Sequence, residues 1–274
     1  MNEQVFRTIE CSDAAISADG LRFVTVKSRA LRRRADVTVF VPEAARGMSN
    51  LPIVMLLHGV YGSHWAWALK GSAHLTANRL IETDVLPPVA LLMPSDGLWG
   101  DGSGYVAHDD HDAERWIIDE VPALAREVIA ECSVRSPLLI AGLSMGGFGA
   151  LRLAGKYPRR ILAAAAMSAV IEAGQFDALI EECRDAWSRE AGDRDVLGAL
   201  INTTAVLPSL RIDCGLDDPY LESNRELHRN LQHLGIAHQY AERPGGHEWP
   251  YWSATLEHTL RFFGDLLHST ENDA

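Results

Sequence analysis

Three residues far apart in the chain, Ser144, Asp218 and His247, have the side-chain types and the settings that acyl-transfer chemistry needs. Ser144 is the centre of Gly142-Leu143-Ser144-Met145-Gly146, a G-x-S-x-G pentapeptide. The apolar run Pro137–Ala141 precedes it and a run with helical spacing, Gly147–Lys156, follows. Together they predict a buried strand, a sharp turn and a helix, with the serine hydroxyl held clear of the sheet at the tip of the turn. Glycines on either side would avoid collisions with the neighbouring strand and helix and tolerate unusual dihedrals. The helix aims its first N–H groups, that of Met145 among them, at the space beside Ser144, where they suit a developing oxyanion.

An acid and a base are expected at later strand exits. The run Leu210–Cys214 leads into Gly215-Leu216-Asp217-Asp218-Pro219. Asp218, three residues past the glycine, can turn back over the sheet; Asp217 is the fallback, and both could instead cap the helix that begins near Glu222. The run Ala237–Ala241 leads into Pro244-Gly245-Gly246-His247-Glu248-Trp249, where two glycines leave the imidazole free to project. Serine, acid, histidine is the chain order expected for such a triad on a parallel α/β sheet. In that reading His247 takes the Ser144 proton as the hydroxyl attacks an acyl carbon, and Asp218 fixes the imidazole tautomer. A second oxyanion donor is expected from the turn after Pro52–Leu57, His58-Gly59-Val60, with the Val60 N–H as candidate beside that of Met145.

The elements that must position these groups follow from the apolar periodicity. Strands are predicted at Gln4–Cys11, Leu21–Val26 and Val37–Val41, an antiparallel lead-in, then at Pro52–Leu57, Pro88–Met93, Pro137–Ala141, Ile161–Ser168, Leu210–Cys214 and Ala237–Ala241. Helical spacing falls on Leu75–Glu82, Asp112–Glu131 (bent or restarted at Pro122), the stretch after Ser144, Glu222–Leu234 and Trp249–Leu267. This alternation predicts an α/β chain, a mostly parallel central sheet with helices on both faces. Residues 171–204 interrupt it, and read as a small helical cap or insertion within one domain spanning residues 1–274.

Composition narrows the function. With 47% hydrophobic residues the 274-residue chain can bury a sizeable core, and a net charge of −12 disfavours nucleic acid or an anionic membrane as partner. The basic cluster Arg29–Arg34 reads as a solvated hairpin end, with an anion-binding patch as the alternative. The four cysteines lie far apart with no C-x-x-C, and Cys132 and Cys214 read as core thiols. No charged-then-apolar signal pattern and no 18-residue apolar run occur, so a cytoplasmic setting is expected.

The segments LLHGVYGSHWAW, MPSDGLWGDGSGY, GLSMGGFGALRLAGKYP, CGLDDPY and PGGHEWPYW resemble the esterase D / tributyrin-esterase group, across roughly residues 20–268. That group includes S-formylglutathione hydrolases and, more distantly, mycolyltransferases of the antigen 85 type. The resemblance implies the α/β-hydrolase fold, with the nucleophile on Ser144, the acid on Asp218, the base on His247 and oxyanion donors on Val60 and Met145. It implies hydrolysis of small-molecule carboxylic or thiol esters with no metal or organic cofactor. Short-chain or aromatic esters are the expected substrates; acyl transfer to a sugar or lipid hydroxyl, thioester hydrolysis and non-catalytic binding are the rivals. The chain departs from the formylglutathione hydrolases at Val60-Tyr61-Gly62, where they carry a nearby cysteine.

Two other features need a reading. His108-Asp109-Asp110-His111-Asp112 could be metal ligands, but reads as a polar loop ending in a helix N-cap. Aromatic residues crowd the strand exits, and Tyr61, Trp65, Trp99 and Trp249 are the candidates for a substrate-binding wall. Trp187, within 171–204, is open to two readings, a pocket lid or a contact between copies in a homo-oligomer.

Overall fold

The apolar runs form the middle of one sheet. In the computed structural model, which describes residues 5–13, 16, 18–190, 192–203 and 205–272, nine strands are hydrogen-bonded in the order β1-β2-β3-β5-β4-β6-β7-β8-β9. They are β1 (Ile9–Cys11), β2 (Leu21–Lys27), β3 (Arg34–Phe40), β4 (Ile53–Leu57), β5 (Ala90–Pro94), β6 (Leu138–Leu143), β7 (Ala163–Met167), β8 (Ser209–Gly215) and β9 (Gln239–Arg243). The lead-in is antiparallel as far as the β3–β5 pair, and every pair from β5 through β4 to β9 is parallel. Each predicted strand is present with ends shifted by a few residues. The first is the shortest, and Gln4, where it was expected to begin, lies outside the described residues.

Strand periodicity explains why β4 and β6 read as unbroken apolar runs. Alternate side chains face opposite sides, and both sides are covered. Ile53, Met55 and Leu57 join one core with Trp116, Leu124, Phe148 and Leu227. Val54 and Leu56 join a second with Trp67, Leu80, Trp252, Leu256, Leu260 and Phe263. The first face carries α3 (Ala113–Arg115), α4 (Val121–Val128), α5 (Met145–Lys156), α6 (Val196–Ile201) and α7 (Leu221–His233). The second carries α1 (Ala66–Leu69), α2 (Ala73–Glu82) and α8 (Trp249–Asn272).

The break predicted at Pro122 is a π turn, Trp116–Glu120, between α3 and α4. Proline has no N–H for the carbonyl four residues back. That carbonyl belongs to Ile118, and the Arg160 guanidinium donates to it. The basic cluster sits at the β2–β3 turn, where the Glu120 carboxylate accepts from the Ser28 hydroxyl and from the N–H groups of Arg29 (3.1 Å) and Ala30 (2.9 Å).

Residues 171–204 differ from the expected helical cap. Outside α6 their helical turns are short 3₁₀ segments, Ala173–Ala178 and Arg184–Ala186. The charged stretch Glu181–Asp185 has no apolar stripe that a longer helix could bury. Local side-chain bonds organise the segment instead: Gln175 Oε1 accepts from Ile171 and Glu172 N–H, and Asp195 caps α6. Residues 191 and 204 of this segment lie outside the described residues.

Candidate active site

Ser144 joins β6 to α5 with φ 53° and ψ −118°, a conformation L residues rarely adopt. The surroundings hold it there. Its N–H donates to Met167 O (3.0 Å), its carbonyl accepts from Val170 N–H (3.2 Å), and the residue is buried. The flanking glycines are required for space. A Cβ on Gly142 would lie 2.2 Å from the Gly146 carbonyl oxygen, and one on Gly146 would lie 2.3 Å from Leu57 O. Neither has positive φ, so the unusual dihedrals expected of the glycines fall on the serine itself.

Three strand exits bring the predicted partners together. His247 Nε2 is 3.0 Å from Ser144 Oγ, and His247 Nδ1 is 3.0 Å from Asp218 Oδ2 and 3.3 Å from Oδ1. Of the two candidate acids it is Asp218 that faces the imidazole; Asp217 is exposed and its N–H donates to Gly245 O. Burial by itself would raise the Asp218 carboxyl. Hydrogen bonds from His247, Ser168 and the Tyr220 N–H outweigh it and hold the group below the usual carboxylate range.

Ser168 was not anticipated. It follows β7 with φ 51°, is fully buried, donates to Asp218 and accepts from Trp252 Nε1 at 3.1 Å. Trp252 also packs edge-on to the His247 ring at 4.9 Å. The signal was a polar residue directly behind the small-residue run Ala163–Met167, at a strand exit like the others.

The β4 exit supplies the turn expected to carry the second donor. His58 is buried, and its Nε2 accepts from Asp96 N–H (3.1 Å). Its Nδ1 therefore carries the proton and donates to Gly59 O (2.7 Å), a carbonyl that also accepts from Gly62 N–H (3.1 Å). In a trans peptide the carbonyl and the next N–H point opposite ways, so tying down Gly59 O fixes the direction of Val60 N–H. Gly59 itself is pressed against the elbow: a Cβ there would lie 2.8 Å from Leu143 Cδ1 and 3.2 Å from Ser144 Cβ. Among the described residues the Val60 N–H has no acceptor, and the Met145 N–H is in the first turn of α5, where helical N–H groups lack intrahelical partners.

Ser144 and His247 open into a cavity of about 290 Å³ whose walls include Val60, Tyr61, Trp65, Leu143, Leu179 and Trp249. Three of the four predicted aromatic wall residues are thus on it. Trp99 is not; its ring packs on His108 at 4.5 Å, away from the cavity. Trp187 is buried against His108 and Phe176, so it offers neither a lid over the cavity nor a surface to another copy. In the His108–Asp112 segment, Asp112 is the N-cap of α3, accepting from Arg115 N–H at 2.8 Å, and the His108 and His111 rings stack at 4.3 Å rather than converging on a point. The buried thiols match their reading as core: burial pushes Cys132 up to about 11 and Cys214 higher still.

Known proteins share this fold. A ferulic acid esterase structure superposes with a TM-score of 0.78 at 23% identity, covering 90% of this chain and 98% of that one. Fluorophosphonate-binding serine hydrolase F of Staphylococcus aureus superposes with a TM-score of 0.75 at 23% identity, covering 88% and 97%. These likenesses show the α/β-hydrolase fold. An acetyl esterase of Caldicellulosiruptor saccharolyticus is 29% identical over 238 residues, 79% of this chain and 85% of that protein. The model of the esterase family, described as "Putative esterase", matches residues 28–263, and the chain belongs to that family.

Proposed function

We propose that the chain is a serine carboxylesterase in which Ser144 is the nucleophile, His247 the general base and Asp218 the residue that orients it. The observation that carries the reading is the continuous row Ser144 Oγ–His247 Nε2 and His247 Nδ1–Asp218 Oδ2, both links at 3.0 Å, ending in an apolar cavity. Ser144 attacks the ester carbonyl as its proton passes to His247 Nε2. The tetrahedral oxyanion takes hydrogen bonds from the N–H groups of Val60 and Met145. The imidazolium, stabilised by Asp218, protonates the departing alcohol. Water then repeats the sequence on the acyl-enzyme with His247 as base. No step calls for a metal or organic cofactor.

The substrates are small esters of short-chain or aromatic acids. A cavity of about 290 Å³ lies at the small end of ligand sites, and its indole walls suit a flat or short acyl group. Residues 171–204 act as a cap, since Leu179 lines the cavity and its carbonyl accepts from the Tyr61 hydroxyl. The setting is a reducing one, as all four cysteines are unpaired. Among the described residues no helix is long and apolar enough to cross a membrane. Turnover of 4-nitrophenyl acetate tests the reading: Ser144→Ala should lose it with the fold retained, and full activity in that variant would refute the assignment.

A further inference from the structure

The cavity that holds Ser144 and His247 is also lined by a lysine that the esterase mechanism leaves unused, Lys70. Its backbone is fixed at the end of α1, where Lys70 N–H donates to Ala66 O at 2.9 Å. The next residue, Gly71, is pressed onto the indole of Trp249, for a Cβ there would lie 3.0 Å from Trp249 Cζ3. The Lys70 ammonium lies over that same ring, 5.8 Å from its centroid. Trp249 packs edge-on to Trp252 at 5.5 Å, and Trp252 edge-on to His247 at 4.9 Å. Two indole rings therefore lead from the ammonium to the imidazole.

The charge on Lys70 is unbalanced. The chain has 37 Asp and Glu against 25 Lys and Arg. Many of those cations, such as Arg79, Arg152, Lys156 and Arg225, are engaged by carboxylates. Lys70 has no carboxylate partner among the described residues, and no Asp or Glu lines the cavity. The remaining walls are largely apolar. A cation held on an indole at the edge of an apolar pocket, with no internal counter-ion, attracts an anionic group on whatever fills that pocket.

We infer that Lys70 selects esters bearing a carboxylate on the part that occupies the Trp65–Trp249 cavity, which makes half-esters of dicarboxylic acids, or acid-substituted aromatic esters, the favoured class. The inference rests on the esterase reading of Ser144, deepens it, and is tested separately from it. Lys70 is exposed, so the preference is modest, about fivefold, as for ion pairs near solvent.

The test compares kcat/KM for two matched pairs: 4-nitrophenyl hydrogen adipate with 4-nitrophenyl hexanoate, and 4-carboxybenzyl acetate with benzyl acetate. In at least one pair the anionic-to-neutral ratio should fall about fivefold in Lys70→Met, fall further in Lys70→Glu and persist in Lys70→Arg. It should also shrink as salt rises from 20 to 500 mM in the unmodified protein. Ratios within twofold of the unmodified protein in both pairs overturn the inference, whatever the absolute rates. Turnover of the neutral esters reports on the esterase reading alone. Should none be turned over, calorimetric titration with 3-phenylpropanoate and its neutral amide still decides: the acid should bind more tightly than the amide in a Lys70-dependent way, and equal affinities in the unmodified protein count against it.

Discussion

The Ser168 hydroxyl donates to the Asp218 carboxylate, the same group that holds the His247 imidazole. Because the folded chain keeps Asp218 below its usual range, this group stabilises the fold above the ordinary carboxylate value near 4, and that contribution is lost as pH falls through the folded value. Ser168→Ala removes one donor to the ionised form. It should destabilise the protein by about 1.5–3 kcal/mol at pH 7, the usual worth of a hydrogen bond to a charged group. The gap should narrow as pH drops below about 4, leaving the part that comes from the Trp252 Nε1–H, which loses its acceptor at every pH. Urea denaturation of both proteins between pH 7 and pH 3 checks this; a gap that does not change with pH would count against it.

Strain at the elbow should be measurable. Ser144 sits at φ 53°, ψ −118°, which costs a non-glycine residue of order 1–3 kcal/mol. Ser144→Gly relieves that strain and Ser144→Ala does not, while both remove the hydroxyl. The glycine variant should therefore be the more stable of the two by about 1 kcal/mol, after the extra entropy of unfolded glycine is subtracted. Denaturant midpoints at equal slope test this, and a glycine variant less stable than the alanine variant, by the entropy cost of glycine alone, would show that the conformation is unstrained.

Gly59→Ala addresses the oxyanion turn. The added methyl meets Leu143 Cδ1 and Ser144 Cβ, so the turn must retreat and take the Val60 N–H with it. Loss of one oxyanion donor typically costs about 100- to 1,000-fold in kcat. The expected result is a fall of that size with KM changed far less; a loss confined to KM would place the effect in substrate binding instead.

The contact between Tyr61 and residues 171–204 can be broken without altering the cavity wall in bulk. Tyr61→Phe deletes the hydrogen bond to Leu179 O and leaves the ring. A neutral hydrogen bond contributes about 0.5–1.5 kcal/mol, so KM should rise about 2- to 10-fold with kcat nearly constant. An unchanged KM would show that this contact does not set the cap.

Much of this was legible in the sequence, for a physical reason. Parallel strands covered on both faces are continuous apolar runs, so β4, β5 and β6 announce themselves, and each exit could be searched for Ser144, Asp218 and His247. What the chain does not spell out is which strands are neighbours. Ser168 reaches Asp218 because β7 and β8 pair side by side, with Met167 opposite Asp213 and Ser168 N–H bonded to Asp213 O. Trp252 and Lys70 likewise depend on how α8 packs against α1, which periodicity alone does not show. Trp99 looked equivalent to Trp65, yet its loop turns it onto His108. Residues 171–204 lacked any period because side-chain bonds, not an apolar stripe, shape them.

Ester cleavage at Ser144 depends above all on its activation by His247. Mass spectrometry after treatment with a fluorophosphonate probe measures this directly, since an ordinary serine hydroxyl does not react. One adduct per chain, on the peptide containing Ser144, and its loss in His247→Ala with the fold intact, is the predicted result. A folded protein with no adduct on Ser144, or one labelled equally well without His247, would contradict it.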